Sequence, residues 1–461
     1  MQRRNFLKST ALFGAALAAS QANAFSLWKN SAQKRIALVG TGIRGSSLWG
    51  RNLVENYGEQ VEFVGLCDIN PGRVAFVKGA MGVDCPAYTD FDKMMTEAKP
   101  EWVIVTTMDS THDAFIIGAM EHGANVITEK PMTTDAEKCQ AILDAQERTG
   151  KQVLVTFNYR HSPHNTAIKQ LLHDEEVGKV TSVDFHWYLN VYHGASYFRR
   201  WHGYVENSGS LWVHKATHHF DLLNWWVNAK PVAVTAFGAL EHYGKNGPFR
   251  GESCRSCEHK AECPYYWDIT EDEYLMNLYV DNEEYDGYIR DSCVFREDIN
   301  IWDKMSAQIL YDNDVVVNYS LTTYSPYEGY RIAFNGHNGR IDSWEDIPYQ
   351  RGEYSKDEQA ALHGAEMEFK TEEVPTEFHE VILHKNFERD FKSIKVPKYR
   401  YGHGGGDRRM LDYLFVNPDA ADPLGHMAGT TDGAYSVLIG IAARKSIAEG
   451  RMVRLDELVK V

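Results

Sequence analysis

From residue 35 the chain alternates short, β-branched apolar runs with longer stretches of helical period. Apolar runs at 35–39, 61–67, 102–106, 125–128 and 152–156 predict strands, and 46–57, 71–81, 113–122 and 136–149 predict the helices between them. Apolar strands separated by helices are the pattern of a parallel sheet covered on both faces. The pattern therefore predicts an α/β, doubly wound domain over residues 35–156. Beyond it the period changes. Runs at 180–189, 232–237, 307–311, 315–321 and 330–335 are longer and alternate or pair as hairpins, with Asp312-Asn313-Asp314 as a turn between two of them. This predicts an α+β second domain, residues 157–461, with a large, mostly antiparallel sheet. Residues 241–300, rich in tyrosine, acids and cysteine, read as an insertion within it.

The first 24 residues read as an address rather than as fold. Arg3-Arg4-Asn5-Phe6-Leu7-Lys8 is a twin-arginine signature, residues 11–19 are apolar, and Ala22-Asn23-Ala24 supplies a cleavage site. The apolar run falls short of the roughly 20 residues a bilayer span needs. The expectation is export in folded form to the periplasm or another extracytoplasmic space, with no membrane attachment after signal removal. A net charge of −16 argues against nucleic acid, which requires a basic surface.

Gly40-Thr41-Gly42-Ile43-Arg44-Gly45 fits G-x-G-x-x-G between a predicted strand and a predicted helix. In a Rossmann domain such glycines allow a tight turn, close approach of backbone to a pyrophosphate, and close packing of helix on strand. The helix start then offers free N–H groups to the phosphates. Asp68 ends the second predicted strand, 23 residues after Gly45, where a carboxylate bonds a ribose and repels a 2′-phosphate. NAD is thus expected over NADP; the plainer alternative is a structural βαβ unit. Thr106, Thr107 and His112 follow the predicted strand at 102–106, and Glu129 and Lys130 follow the one at 125–128. All lie on the sheet edge where this fold places ligands.

With Asp68-Ile69-Asn70-Pro71, Glu129-Lys130-Pro131 and Asn158-Tyr159-Arg160, the glycine motif resembles the Gfo/Idh/MocA oxidoreductases. That family includes glucose-fructose oxidoreductase and inositol dehydrogenase. The resemblance runs from Arg35 to the closing segment 440–453. It implies NAD(P) binding and oxidation or reduction of a carbinol on a sugar or cyclitol. A related branch, the NAD-dependent α-N-acetylgalactosaminidases, uses transient oxidation to cleave glycosidic bonds.

Hydride transfer from a carbinol requires a base of near-neutral pKa for the hydroxyl proton. In a helical reading of 208–221, His214, His218 and Asp221 share one face. The segment resembles the family's D-x-x-x-H-x-x-D helix, which makes His218 the family histidine and Asp221 its acid. His214 stands where the family often has Asp, and reads as a second base or a substrate ligand. Lys130 matches the family lysine and would donate to the reacting oxygen. Two other readings are a divalent metal held by His214, His218 and Asp221, or a helix face packed under the sheet. Tyr159, Arg160, Lys215, Asp221, His403 and Asp407 read as substrate-facing; the last two flank Gly404-Gly405-Gly406, which suits close approach to a ligand or a flexible turn.

Cys254, Cys257, Cys263 and Cys293 have the spacing of a structural zinc site, with disulfides as the alternative in an oxidising compartment. An iron–sulfur cluster is a third option that hydride chemistry does not call for. Together these readings predict an NAD-dependent oxidoreductase acting on a sugar or glycoside, with tightly bound, internally recycled NAD. The alternatives are an NAD-dependent glycosidase and a non-catalytic sugar- or nucleotide-binding module. A homo-oligomer would pair through the C-terminal sheet.

Overall fold

A computed structural model describes residues 33–346, 377–399 and 402–460; the expected signal segment, 1–24, lies outside them. The first domain holds six parallel strands: β1 (Lys34–Val39), β2 (Val61–Cys67), β3 (Ala87–Tyr88), β4 (Trp102–Val105), β5 (Asn125–Thr128) and β6 (Val153–Val155). Their order is β3-β2-β1-β4-β5-β6. The order reverses between β1 and β4, and the crevice there is where doubly wound sheets bind ligands. Ile36, Leu38, Val103 and Ile104 are wholly buried, each such side chain worth about 1.5–3 kcal/mol. Helix starts follow local chemistry: the Asn70 side chain accepts from the Arg73 N–H ahead of Pro71–Met81, and Asp135 accepts from Lys138 N–H ahead of Ala136–Thr149. β3 was not expected, because two residues leave no apolar run to read.

The second domain holds β7 (Val180–Asn190), β8 (Pro231–Ala239), β9 (Lys304–Tyr311), β10 (Val316–Ser325), β11 (Gly329–Gly336), β12 (Gly339–Glu345), β13 (Phe378–Lys385), β14 (Phe391–Pro397) and β15 (Val453–Arg454). They form one sheet in the order β14-β13-β12-β11-β7-β10-β9-β8-β15. Only the central β7–β10 pair is parallel; its neighbours are antiparallel. Burial alternates along β9, the mark of a sheet covered on one face. The helices Ala216–Val227 and Thr430–Glu449 lie on the covered face, joined by a Thr217 Oγ1 to Ser436 Oγ bond of 2.9 Å. Ser446 Oγ accepts from Ala236 N–H of β8 at 3.1 Å. Strands β12 to β15 were not expected; β12, for example, has the sequence Gly-Arg-Ile-Asp-Ser-Trp-Glu and exists by pairing with β11 and β13.

The segment 241–300 reaches back onto the first domain. Asn70 Nδ2 donates to Asn282 O at 2.8 Å, and Arg73 pairs with Asp286 at 2.7 Å. Its cysteines differ from expectation. Among the described residues no three of His, Cys, Asp and Glu gather as metal ligands, and all seven thiols are free. Neither the zinc site nor the disulfides expected of Cys254, Cys257, Cys263 and Cys293 is formed. Cys254 Sγ instead accepts from the Arg199 guanidinium at 2.8 Å, a cation where zinc would need room. The insertion is held by a Ser253–Ser292 bridge and by Arg255, which pairs with Asp291 at 3.0 Å and Glu283 at 2.5 Å.

Candidate active site

The chain leaves β1 through Gly40, whose φ of +88° favours glycine, and a Cβ there would lie 2.7 Å from the Thr106 backbone. The ends of β1 and β4 can therefore touch, and Thr106 Oγ1 donates to Gly40 O at 2.5 Å. Helical backbone then runs continuously from Ile43 to Tyr57 through one π turn. Gly42, Ile43 and Arg44 open onto a cleft of about 550 Å³ that also takes in Asp68, Thr106, Thr107, His112, Glu129 and Lys130. Bare glycine backbone, a helix start and a second-strand carboxylate facing one cleft fit a dinucleotide.

Asp68 is also a buttress of that turn. Its Oδ2 accepts from Thr41 N–H at 2.7 Å and Thr41 Oγ1 at 2.9 Å, and its Oδ1 from Asn70 N–H at 2.9 Å and Arg73 at 3.3 Å. A carboxylate has about four acceptor positions, so a ribose hydroxyl would have to displace one of these partners. His112 is likewise engaged: its ring nitrogens lie 2.8 Å from Pro131 O and 3.1 Å from Thr107 O. That ties the loops after β4 and β5 together, and burial lowers the His112 pKa.

Arg44 joins the two domains. Its guanidinium donates to Glu129 at 2.6 Å and to Asp407 at 3.2 Å, while Trp49 Nε1 also donates to Glu129 at 2.8 Å. Burial would raise the carboxyl of Asp407, but the charges of His403 and Arg44 prevail and hold it well below the usual range. Asp407 Oδ2 lies 2.9 Å from His403 Nδ1. Residues 403–405 have positive φ, and a Cβ on Gly406 would lie 2.3 Å from Asn158 O. The glycine run thus presses this loop on Asn158 and sets the His403 ring 6.0 Å from that of His218.

The chemical groups meet where β4 and β5 end against the helix Ala216–Val227. His214 Nδ1 lies 2.5 Å from Asp109 Oδ2, in hydrogen-bond contact, and Lys130 Nζ donates to the His214 carbonyl at 3.4 Å. Burial pulls Lys130 down to about 8, against the charges of Asp109 and Glu129. Burial also pushes Asp109 up and His214 down, both shifts opposing a separated charge pair at this contact. With a proton on Nδ1, Nε2 of His214 carries the lone pair. His218 packs its ring 4.7 Å from Tyr159, and its buried Nδ1 has no hydrogen-bond partner among the described residues. Burial, then the charge of Lys130, lowers the His218 pKa well below the ordinary histidine value. Lys215 lies 5.5 Å from the Tyr159 ring and 5.1 Å from that of Trp187.

Comparison with known proteins matches this architecture in both halves. Residues 34–157 match the NAD-binding Rossmann fold of the Gfo/Idh/MocA oxidoreductase family, and residues 169–455 match its C-terminal alpha/beta domain. The chain belongs to the Gfo/Idh/MocA family. It is 35% identical over 445 residues to YteT of Bacillus subtilis (strain 168), an oxidoreductase by assignment only, covering 93% of this chain and 99% of that one. It is 26% identical over 206 residues to an inositol 2-dehydrogenase/D-chiro-inositol 3-dehydrogenase of Lactiplantibacillus plantarum, over 44% of this chain and 55% of that one. An Agrobacterium radiobacter oxidoreductase solved with NAD+, L-tartaric acid and magnesium shares the fold, with a TM-score of 0.61 at 14% identity, covering 93% of this chain and 100% of that one.

On this Gfo/Idh/MocA scaffold Lys130, His214, Lys215, His218 and His403 line one cleft. Asp407 stands behind it, holding His403 and Arg44. Tyr159 stands behind it too, against His218 and His403. Tyr159 and Asp407, expected to face substrate, thus do not line the cleft, and neither do Arg160 and Asp221. Arg160 and Asp221 are bonded to each other at 2.8 and 2.5 Å, and Arg160 also pairs with Asp432 at 2.9 Å and Gly425 O at 3.0 Å. Turned to each other, they are not among the residues that line the cleft, and Asp221 is not placed to share a metal with the histidines. Asp109 was not singled out as a functional residue. Its place at the carboxyl end of β4 was the signal available. His193 and His202 were missed as well, because their segment gives no motif; both line the cleft, His193 bonded to Glu328 at 3.0 Å.

Proposed function

We propose that this protein is an NAD-dependent oxidoreductase acting on a carbinol of a sugar or glycoside, with the dinucleotide retained and recycled in place. The observation that carries the reading is the meeting of Lys130, from the end of β5, with His214 and His218 in the cleft onto which the glycine turn opens. The bound nicotinamide would supply the hydride acceptor. Nε2 of His214 is suited to take the hydroxyl proton with Asp109 ionised, because the carboxylate then accepts from Nδ1–H and offsets the burial that lowers the His214 pKa. Protonated Lys130 donates to the substrate oxygen and steadies negative charge developing there. His218, near Lys130 and without a carboxylate partner, stays neutral and orients the substrate.

Likeness to inositol 2-dehydrogenases supports a polyhydroxylated substrate. A redox-neutral reading, which includes glycosidase action, draws support from 29% identity over 212 residues to the 2,7-anhydro-N-acetylneuraminate hydratase of Mediterraneibacter gnavus, over 45% of this chain and 54% of that one. The twin-arginine signature supports retention, since NAD lost outside the cytosol would not be replaced. The test mixes purified NAD-loaded protein with a panel of sugars, cyclitols and aryl glycosides. Reduction of bound nicotinamide by a polyol supports the dehydrogenase reading. Release of aglycone with no net reduction selects the glycosidase, and neither response with bound NAD would leave only a binding module. His214→Ala should lose turnover more severely than His218→Ala; the reverse order returns the base to His218.

A further inference from the structure

Four arginines touch the cofactor cleft, and they divide into two kinds. Arg44 is paired with Glu129 and Asp407, and Arg73 with Asp68 and Asp286. Arg200 and Arg290 make no ion pair with a carboxylate among the described residues, although the charge of Arg200 reaches Asp109. Arg200 follows the helix Val191–Arg199; its Nε donates to Ser196 O at 2.8 Å, and its guanidinium lies 5.3 Å from the Tyr197 ring. Arg290 belongs to the insertion; its Nε is buried without a hydrogen-bond partner, and its guanidinium lies 5.1 Å from the Tyr279 ring. The two cations feel each other: burial, then the charge of Arg290, lowers the Arg200 pKa to about 10. Both guanidinium groups line the same cleft, and like charges so placed are unfavourable unless an anion enters with them.

Tyr279 says where that anion lies. Its hydroxyl accepts from Ile43 N–H at 2.8 Å, so the ring under Arg290 sits against the backbone that follows the glycine turn. The insertion backbone around it is pinned on the first domain. Asn282 O accepts from Asn70, Asp286 pairs with Arg73, and a Cβ on Gly72 would strike Asn282 Oδ1 at 1.8 Å. We propose that Arg200 and Arg290 form a diphosphate clamp, carried by the second domain, that closes over the pyrophosphate of the dinucleotide and slows its release. The clamp rests on the NAD reading above. The first domain offers the diphosphate those backbone N–H groups of the glycine turn not already spent, as Thr41 is on Asp68 and Ile43 on Tyr279, and the segment carrying Arg290 covers it with fixed positive charge.

The test follows release of NAD from the intact, NAD-loaded protein during a chase with isotopically labelled NAD. Removing a charge that faces a buried anion acts chiefly on dissociation. Arg290→Met and Arg200→Met should each speed release by about 10-fold, with Arg290→Lys falling between Arg290→Met and the parent. Added potassium chloride should speed release from the parent more than from the double variant. Release at the parent rate from both methionine variants overturns the clamp while leaving the NAD reading intact. A parent protein that neither carries nor takes up NAD overturns both. In a second arm D-glucuronate and D-glucose are titrated into the NAD-loaded proteins. Unchanged NAD release with selective loss of glucuronate binding overturns the assignment by giving the pair to an acidic substrate.

Discussion

Two buried ionic clusters lie near the domain junction, and they differ in how completely their charges are answered. Around Arg160, one guanidinium meets Asp221 through two bonds, Asp432 through a third and a backbone carbonyl through a fourth. Around Lys130, by contrast, the ammonium has a carbonyl at 3.4 Å, Asp109 is spent on His214, and Lys215 and Arg44 add like charge. The first cluster is electrostatically closed and fastens helix to loop. The second keeps a lysine near its titration point beside a histidine–carboxylate pair, and such unanswered charge is what proton transfer uses. The difference teaches that burial and charge alone do not single out a candidate site; incomplete pairing that faces a cleft is the sharper sign.

Breaking each cluster should give opposite signatures. Lys130→Met should lower turnover by about 10²–10⁴-fold while the thermal midpoint stays near that of the parent. Steady-state kinetics with calorimetry checks both halves, and near-normal turnover would remove Lys130 from the chemistry. Arg160→Met should do the reverse, costing about 3–5 kcal/mol of stability by leaving Asp221 buried and unpaired, with turnover per folded molecule nearly unchanged. A urea titration reads this, and an activity loss larger than the stability loss would place Arg160 in the site after all.

Smaller changes sharpen the contrast. Gly406→Ala puts a methyl group 2.3 Å from Asn158 O; overpacking of this kind costs about 1–3 kcal/mol. Because the loop also carries His403, the variant should raise KM for substrate as well as lower the unfolding midpoint. The finest test uses pH. Lys130 must be protonated to donate, so kcat/KM should fall as pH rises through about 8. Asp109 raises the Lys130 pKa, so Asp109→Asn should move that falling limb to lower pH, by about one unit. A limb that stays in place would mean that another group controls it.

The legible parts of this protein were those written in contiguous residues. Apolar runs separated by helical periods announced five of the six strands of the first sheet, and strand, glycine turn and helix announced the cofactor cradle. Those signals are local, because a tight turn or a cap depends on a few neighbouring side chains. β12 could not be read this way, since two apolar side chains do not make a pattern and the strand exists by pairing with partners on both sides.

The site divides along the same line. Lys130, His214, His218 and His403 were recognisable from the motifs around them, and the sequence alone sufficed to assign the family and the edge of the sheet onto which the cleft opens. Which groups stand together was decided only by the tertiary structure. Asp109 and His214 are separated by 105 residues and meet at 2.5 Å, and Arg160 turns away from the cleft because Asp221 and Asp432 converge on it. Arg200 and Arg290 become a pair only when the insertion folds onto the first domain. The physical reason is that residue type sets what a side chain can do, whereas its pKa and its partner depend on burial and distance, which fold closure alone supplies.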